Sequence, residues 1–179
     1  MRTLDLALFS LINAGPGTSL WLVRVAAFIS DILPALAVGL FGLGALMVPA
    51  WRRPLLAGVV SLLLVWALVT LFRSQVQMPR PAALGLGVQW ASQGIRPGFP
   101  SMHAAGSFAF AMALVFGSLR WPAVAFVLVA LLVIWSRVFL GLHFPSDVLA
   151  GAALGTVVAL AVSLGMARWW ARPEPRRQS

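Results

Sequence analysis

The chain has 179 residues, 61% of them hydrophobic and 9% charged, with a mean hydropathy of +0.96. A soluble domain carries about a quarter charged residues, so this composition excludes an ordinary soluble protein and points to a chain whose solvent is mostly lipid. The net charge of +9 is carried by arginine alone, and the lack of cysteine excludes disulfides, thiolate metal sites and a cysteine nucleophile.

Residues 3–13 (TLDLALFSLIN) predict a short amphipathic helix lying in the membrane interface. Gly and Pro in AGPGTS (14–19) break it. Residues 19–30 are apolar but carry Arg24, and read either as interfacial or as the second half of a broken first span. Five firmer apolar runs follow, at 32–50, 54–72, 102–118, 121–138 and 147–169. The fold class expected is therefore all-α: a polytopic transmembrane helix bundle of five or six spans. No short alternating segments of the transmembrane β-barrel kind occur, and nothing near the start reads as a cleavable signal peptide. Residues 1–170 read as one integral-membrane domain, with 1–31 as its interfacial or broken first part. Residues 171–179 (ARPEPRRQS) read as a polar, Pro-rich, disordered cytoplasmic tail.

The arginines lie at the ends of the apolar runs, so topology explains the positive charge better than nucleic acid does, and no nucleic-acid partner is expected. Alternating the five runs puts Arg52, Arg53, Arg120, Arg168, Arg172, Arg176 and Arg177 on one face, the expected cytoplasmic side. The opposite, outer face receives Asp31, the 73–101 connection and the 139–147 turn. Positive charge there needs another explanation.

Three strings supply it. RSQVQMPRP carries Arg73 and Arg80, PSMH carries Ser101 and His103, and SRVFLGLHFPSD carries Ser136, Arg137, His143 and Asp147. Each flanks the outer end of an apolar run, and together they hold both histidines of the chain. Converging guanidiniums suit a phosphate, which arginine grips with paired donors. Ser101 opens an apolar run, and a helix N-terminus offers free N–H groups to an anion. An imidazole can attack phosphorus. Asp147, four residues after His143, can accept one ring N–H and leave the other nitrogen free. The second histidine can protonate the leaving oxygen, and this division of labour predicts a bell-shaped pH–rate curve. No metal or other cofactor is expected: two histidines and an aspartate suit zinc in principle, but adjacent arginines repel a cation and themselves stabilise charge.

Each residue also has a plainer reading. Arg73 and Arg137 can be snorkelling interfacial residues, His103 a satisfied interfacial histidine, and Asp147 a helix cap. Pro100 and Pro145 read as helix-entry residues, Arg96 as a loop charge, and the tryptophans as interface anchors. Against those readings stands the gathering of expensive ionisable groups into three short strings.

The strings resemble the signature of the type 2 phosphatidic acid phosphatase superfamily: Lys-x6-Arg-Pro, Pro-Ser-Gly-His and Ser-Arg-x5-His-x3-Asp. Arg73 with Arg80-Pro81 has the first spacing, Pro100-Ser101-Met102-His103 matches the second at three of four positions, and Ser136-Arg137, His143 and Asp147 match the third in full. The resemblance implies His143 as the nucleophile that becomes phosphohistidine, Asp147 as its orienting partner and His103 as general acid. It implies Arg73, Arg80, Ser101, Arg137 and the Met102 amide as phosphate holders. Arg73 in place of Lys keeps the charge but changes the donor geometry. Met102 in place of Gly keeps the backbone N–H and adds bulk. The short chain looks most like small bacterial members that hydrolyse undecaprenyl diphosphate, which implies a cytoplasmic (inner) membrane location with the site facing outward and a lipid phosphate as partner. Phosphatidylglycerol phosphate, phosphatidic acid, lipid A phosphates, phosphoryl transfer to another lipid, and non-enzymatic transport of an anionic lipid stay open. Oligomeric state is not readable.

Overall fold

The computed structural model describes residues 2–92 and 96–171. Among these the chain is helical, without strands: α1 (Arg2–Ile12), α2 (Leu20–Asp31), α3 (Leu33–Met47), α4 (Arg52–Gln75), α5 (Met102–Phe116), α6 (Arg120–Phe139) and α7 (Pro145–Trp170). Helices α4, α6 and α7 are each long and apolar enough to cross a membrane. Helices α2 and α3 meet at 45° and pass that test as one bent pair, whereas α5, at 15 residues, is shorter than a usual span. The five apolar runs end up as α3 to α7, with ends shifted by a few residues. Helix α4 runs on to Gln75, so Arg73 lies in its last turn, where a cation meets the negative end of the helix dipole. Helix α7 starts at Pro145, because proline suits the first helical position and Asp147 caps the turn. The tail expected to be disordered lies, beyond Ala171, outside the described residues.

Helix α5 packs against α4, α6 and α7, most extensively against α7. Being apolar on every side, it takes the centre of the bundle. Its contact with α7 is set by small residues. Ala104, Ala105 and Ala109 are wholly buried, and they face Gly151 and Gly155 of α7. A Cβ added at Gly151 would lie 2.5 Å from the Ser101 carbonyl oxygen, and one at Gly155 would overlap the Ala105 carbonyl. This spacing of small residues lets two backbones touch, the usual solution where lipid cannot drive helices together. The large apolar side chains turn outward instead: Leu63, Leu64, Trp66, Leu128 and Leu131 are exposed.

Antiparallel packing separates two ends. At one, Arg52, Arg53, Arg120 and Arg168 are exposed. There Arg52 donates to the last carbonyls of α3 at Ala45 and Leu46, and Arg53 lies 4.8 Å over the Trp170 ring. The other end carries Arg73, Ser101, His103, Arg137 and Asp147. Helix α1 is fastened at this second end. Asp5 accepts the Ser146 amide at 2.9 Å and its hydroxyl at 2.6 Å. Asn13 exchanges both amide bonds with Val88, and the Trp90 indole donates to the Ala14 carbonyl at 2.9 Å. The 76–92 connection and α1 thus form one layer over the helix ends.

Gly155→Val is expected to lower the thermal midpoint of the detergent-solubilised protein by several degrees, reflecting about 1–3 kcal/mol of overpacking. Gly165→Val, where nothing lies within 4 Å, should leave the midpoint in place. Equal midpoints for the two variants would contradict the α5–α7 contact as the tight seam.

Candidate active site

Every ionisable residue of the three strings sits where a helix starts or stops. Arg73 is in the last turn of α4, Arg137 in the last turn of α6, and Asp147 in the first turn of α7. Arg80 precedes a short 3-10 turn (Pro81–Leu84), and Ser101 and His103 open α5. His143 lies in the reversal between α6 and α7. That reversal depends on Gly141, with φ +73°, where a Cβ would also overlap the Val88 carbonyl. The Ser101 amide donates to the Asp147 carbonyl at 2.9 Å, which joins the starts of α5 and α7.

His143 is 1% exposed. Its Nδ1 lies 3.4 Å from Asp147 Oδ2, and its Nε2 lies 3.2 Å from Arg80 Nη1. A guanidinium only donates, so Nε2 is the acceptor and the ring N–H is at Nδ1, facing the carboxylate. The imidazole is therefore neutral with its lone pair at Nε2. Burial, first, and then the charges of Arg137, Arg80 and Arg73 push His143 well below the ordinary histidine value. Asp147 Oδ2 also accepts the Phe144 amide at 2.9 Å, so the cap and the histidine partner are the same oxygen.

Arg80 is buried and almost fully engaged. It donates to the carbonyls of Arg96 (2.9 Å), Pro97 (3.3 Å) and Leu142 (2.9 Å) as well as to His143. Burial pulls its guanidinium below the usual value, opposed by Asp147 and reinforced by Arg96. The Arg96 side chain itself is exposed, in keeping with a loop charge. Arg73 uses Nη2 to hold the carbonyls of Pro100 (2.6 Å) and Gly98 (3.3 Å), just before α5. Arg137 is wholly buried and donates through Nη1 to Ser30 Oγ (2.6 Å) and Asp31 Oδ1 (3.2 Å).

Several donors remain over. Arg73 Nε, Arg137 Nε and Nη2, and Ser101 Oγ are buried and lack a hydrogen-bond partner among the described residues. Buried polar groups are normally satisfied, so this cluster is a marked exception. The first amides of α5, Met102 and His103 among them, add donors that a helix cannot satisfy internally. The arrangement is built to receive an anion with several oxygens.

His103 lies across from this cluster, its Nε2 3.6 Å from Asp31 Oδ1. Asp31 and Ser30 at the end of α2, and Asp5 on α1, are the polar partners that the sequence strings miss. A signal was present: Asp31 is one of only four acidic residues, and an acid inside an apolar stretch marks function by default. Ser136 plays a local part, its hydroxyl donating back to the Val133 carbonyl at 2.8 Å.

The family model described as PAP2 superfamily matches residues 54–171. The Escherichia coli (strain K12) protein named "Putative undecaprenyl-diphosphatase YbjG" is 32% identical over 172 residues, covering 92% of this chain and 83% of that protein. The crystal structure of Aquifex aeolicus LpxE superposes with a TM-score of 0.70 at 26% identity, covering 90% of this chain and 95% of that one. The transmembrane PAP2 type phosphatidylglycerolphosphate phosphatase of Bacillus subtilis shares the fold, with a TM-score of 0.71 at 21% identity over 99% of this chain and 89% of that one.

Arg73→Lys should weaken binding of inorganic phosphate by about tenfold, followed by 31P line broadening in detergent solution. An ammonium that holds the Gly98 and Pro100 carbonyls has one N–H left on the same atom and lacks the separate, fixed Nε donor of the guanidinium. An unchanged phosphate affinity would show that the charge alone matters at this position.

Proposed function

The chain belongs to the PAP2 superfamily, and on that premise we propose that this membrane lipid phosphatase removes phosphate from an isoprenoid diphosphate, most specifically undecaprenyl diphosphate, through a phosphohistidine. The observation that carries the reading is the set of unpartnered buried donors on Arg73, Arg137 and Ser101, gathered around a neutral His143–Asp147 pair.

The steps follow from the contacts. The terminal phosphate takes the free donors of Arg73, Arg137, Ser101 and the α5 amides, Met102 included. It also competes for Arg80 Nη1, which releases the lone pair of His143 Nε2. Nε2 attacks phosphorus, the bond from phosphorus to the bridging oxygen breaks, and His103 gives its proton to that oxygen. Asp147 holds the Nδ1–H throughout and stabilises the positive ring that forms. His103, now neutral, takes a proton from water as the water oxygen attacks phosphorus. The N–P bond then breaks, and phosphate leaves. The guanidiniums stabilise the transferring group electrostatically, so the chemistry asks for no metal.

The lipid end has support of its own. A groove of about 710 Å3 runs from His103 and Asp31 between the helices. Its apolar walls come from Val38 and Gly39 of α3, Leu62 and Trp66 of α4, Phe110 of α5 and Phe126 of α6. It seats the first part of a hydrocarbon chain attached to the leaving oxygen. The exposed arginines at the opposite bundle end fit the positive-inside rule, which supports a site facing the periplasm or cell exterior of a bacterial inner membrane. With α2–α3 as one bent span and α5 as a short one, the chain crosses five times. The curated relative named for undecaprenyl diphosphate supports that substrate. Residues 1–170 then act as one catalytic unit.

Purified protein in detergent, with EDTA present, should release phosphate from undecaprenyl diphosphate faster than from phosphatidylglycerol phosphate, phosphatidic acid or lipid A. His143→Ala should fall to the blank, a loss of at least about 10³-fold. Another lipid ranking first would reassign the substrate, and phosphate appearing on a second lipid would make the chain a transferase. Because neutral His143 is required and its titration is displaced downward, the acidic limb of kcat/KM against pH should lie below about 6.5. An acidic limb above that value would contradict His143 as nucleophile.

A further inference from the structure

The two histidines of this chain each face their own carboxylate. His143 has Asp147, four residues on; His103 has Asp31, brought in from the break between α2 and α3. We infer that Asp31 is the positioning residue for the proton donor: it faces His103 at the groove mouth and anchors Arg137 through the same oxygen. The inference rests on the reading of His103 as general acid, and adds a residue outside the three strings.

The geometry that carries it is a short chain of contacts. Ser30 Oγ donates to Asp31 Oδ1 at 2.7 Å, and Arg137 Nη1 reaches both that oxygen, at 3.2 Å, and Ser30 Oγ, at 2.6 Å. His103 Nε2 stands 3.6 Å from the same oxygen, ion-pair distance once the ring is protonated. Ser30 is wholly buried, whereas the Asp31 side chain is 48% exposed, so the carboxylate sits at the lip where buried site meets open groove. The charged groups acting on His103 are Arg137 from α6, Arg73 from α4, Arg80 from the connection and Asp31 from α2, with titratable His143 from the α6–α7 turn. Three of those charges are positive and oppose a charged ring. Asp31 is the one carboxylate among them. Without it, proton donation would begin from an imidazole already surrounded by cations. With it, His103 Nε2 faces a carboxylate oxygen, as His143 Nδ1 faces Asp147.

The inference separates leaving groups. An alkoxide leaves poorly without a proton; p-nitrophenolate leaves well without one. Asp31→Asn should therefore lower kcat about tenfold or more on a lipid phosphate monoester, such as phosphatidic acid, and much less on p-nitrophenyl phosphate. Asp31→Glu should recover part of the loss. Equal losses on both substrates would overturn the inference.

A second readout does not depend on turnover. The chain has two histidines, so histidine-labelled protein gives two imidazole signals, and His143→Ala assigns them. In Asp31→Asn the titration midpoint of His103 should fall by about one pH unit relative to the unaltered chain. The His143 signal, kept at its own position, serves as the check on folding. A His103 midpoint equal in the two proteins would overturn the inference. If the unaltered chain released phosphate from no lipid, the phosphatase reading would fall, and the His103 titration would still decide the Asp31 pairing.

Discussion

Among the described residues Arg137 is the bulkiest side chain to be wholly withdrawn from solvent, and it is charged. Burying a guanidinium in an apolar bundle costs several kcal/mol unless partners meet it. Here one nitrogen is met, by Ser30 and Asp31, while Nε and Nη2 are not. Arg80 is buried beside it and Arg73 half-buried. Against these three guanidiniums stand two carboxylates, Asp31 and Asp147. The surplus is positive and stands where the dielectric constant is low, so a multivalent anion interacts with it far more strongly than it would on an open surface. The stability given up in holding those charges is what preorganises the site.

The rest of the fold keeps that cluster from relaxing. An arginine on a loose loop would turn toward water. Arg80 cannot, because three backbone carbonyls and His143 share its donors. Arg73 is tied to the segment that leads into α5, so the cation and the helix N-terminus move as one body. The α5–α7 seam, without room for a single methyl group at Gly155, fixes Ser101 against the start of α7. Asp5 and Asn13 then fasten α1 and the long connection across the same end. Tight glycine contacts and a roofed bundle end serve one purpose, which is to hold polar donors still where no protein group among the described residues satisfies them.

Much of this was legible in the sequence because membrane proteins separate their signals. Apolar runs mark helices, and an ionisable group inside or beside one is costly enough to be meaningful. So α3 to α7 could be read from their apolar runs, and the residues from Arg73 to Asp147 from their chemistry at the run ends and from the superfamily signature they resemble. What could not be read were contacts between distant segments. Asp31 meets Arg137 across 106 residues, and Asp5 meets Ser146 across 141. Neither carries a local pattern. The two readings of Asp147 were likewise inseparable in the sequence, and the structure shows why: one oxygen both caps α7 and faces His143. Arg24, which made 19–30 ambiguous, is exposed on α2, and the polar residues that matter in that segment are Ser30 and Asp31 at its end.

In the proposed reaction two imidazoles of equal intrinsic basicity do opposite work, and their surroundings are what separate them. His143 is sealed, accepts a hydrogen bond from a guanidinium and hands its proton side to a buried carboxylate. Everything about it favours the neutral ring with a lone pair. His103 stands partly open at the groove and faces an exposed carboxylate. Asp31 and the open groove are the features of that place that favour a charged ring. Exchanging the two environments would leave every residue type in place and remove the proposed chemistry, since a protonated His143 has no electron pair to give and a neutral His103 is too weak an acid to protonate a leaving oxygen. On that reading the depth of each histidine, more than its identity, assigns its role.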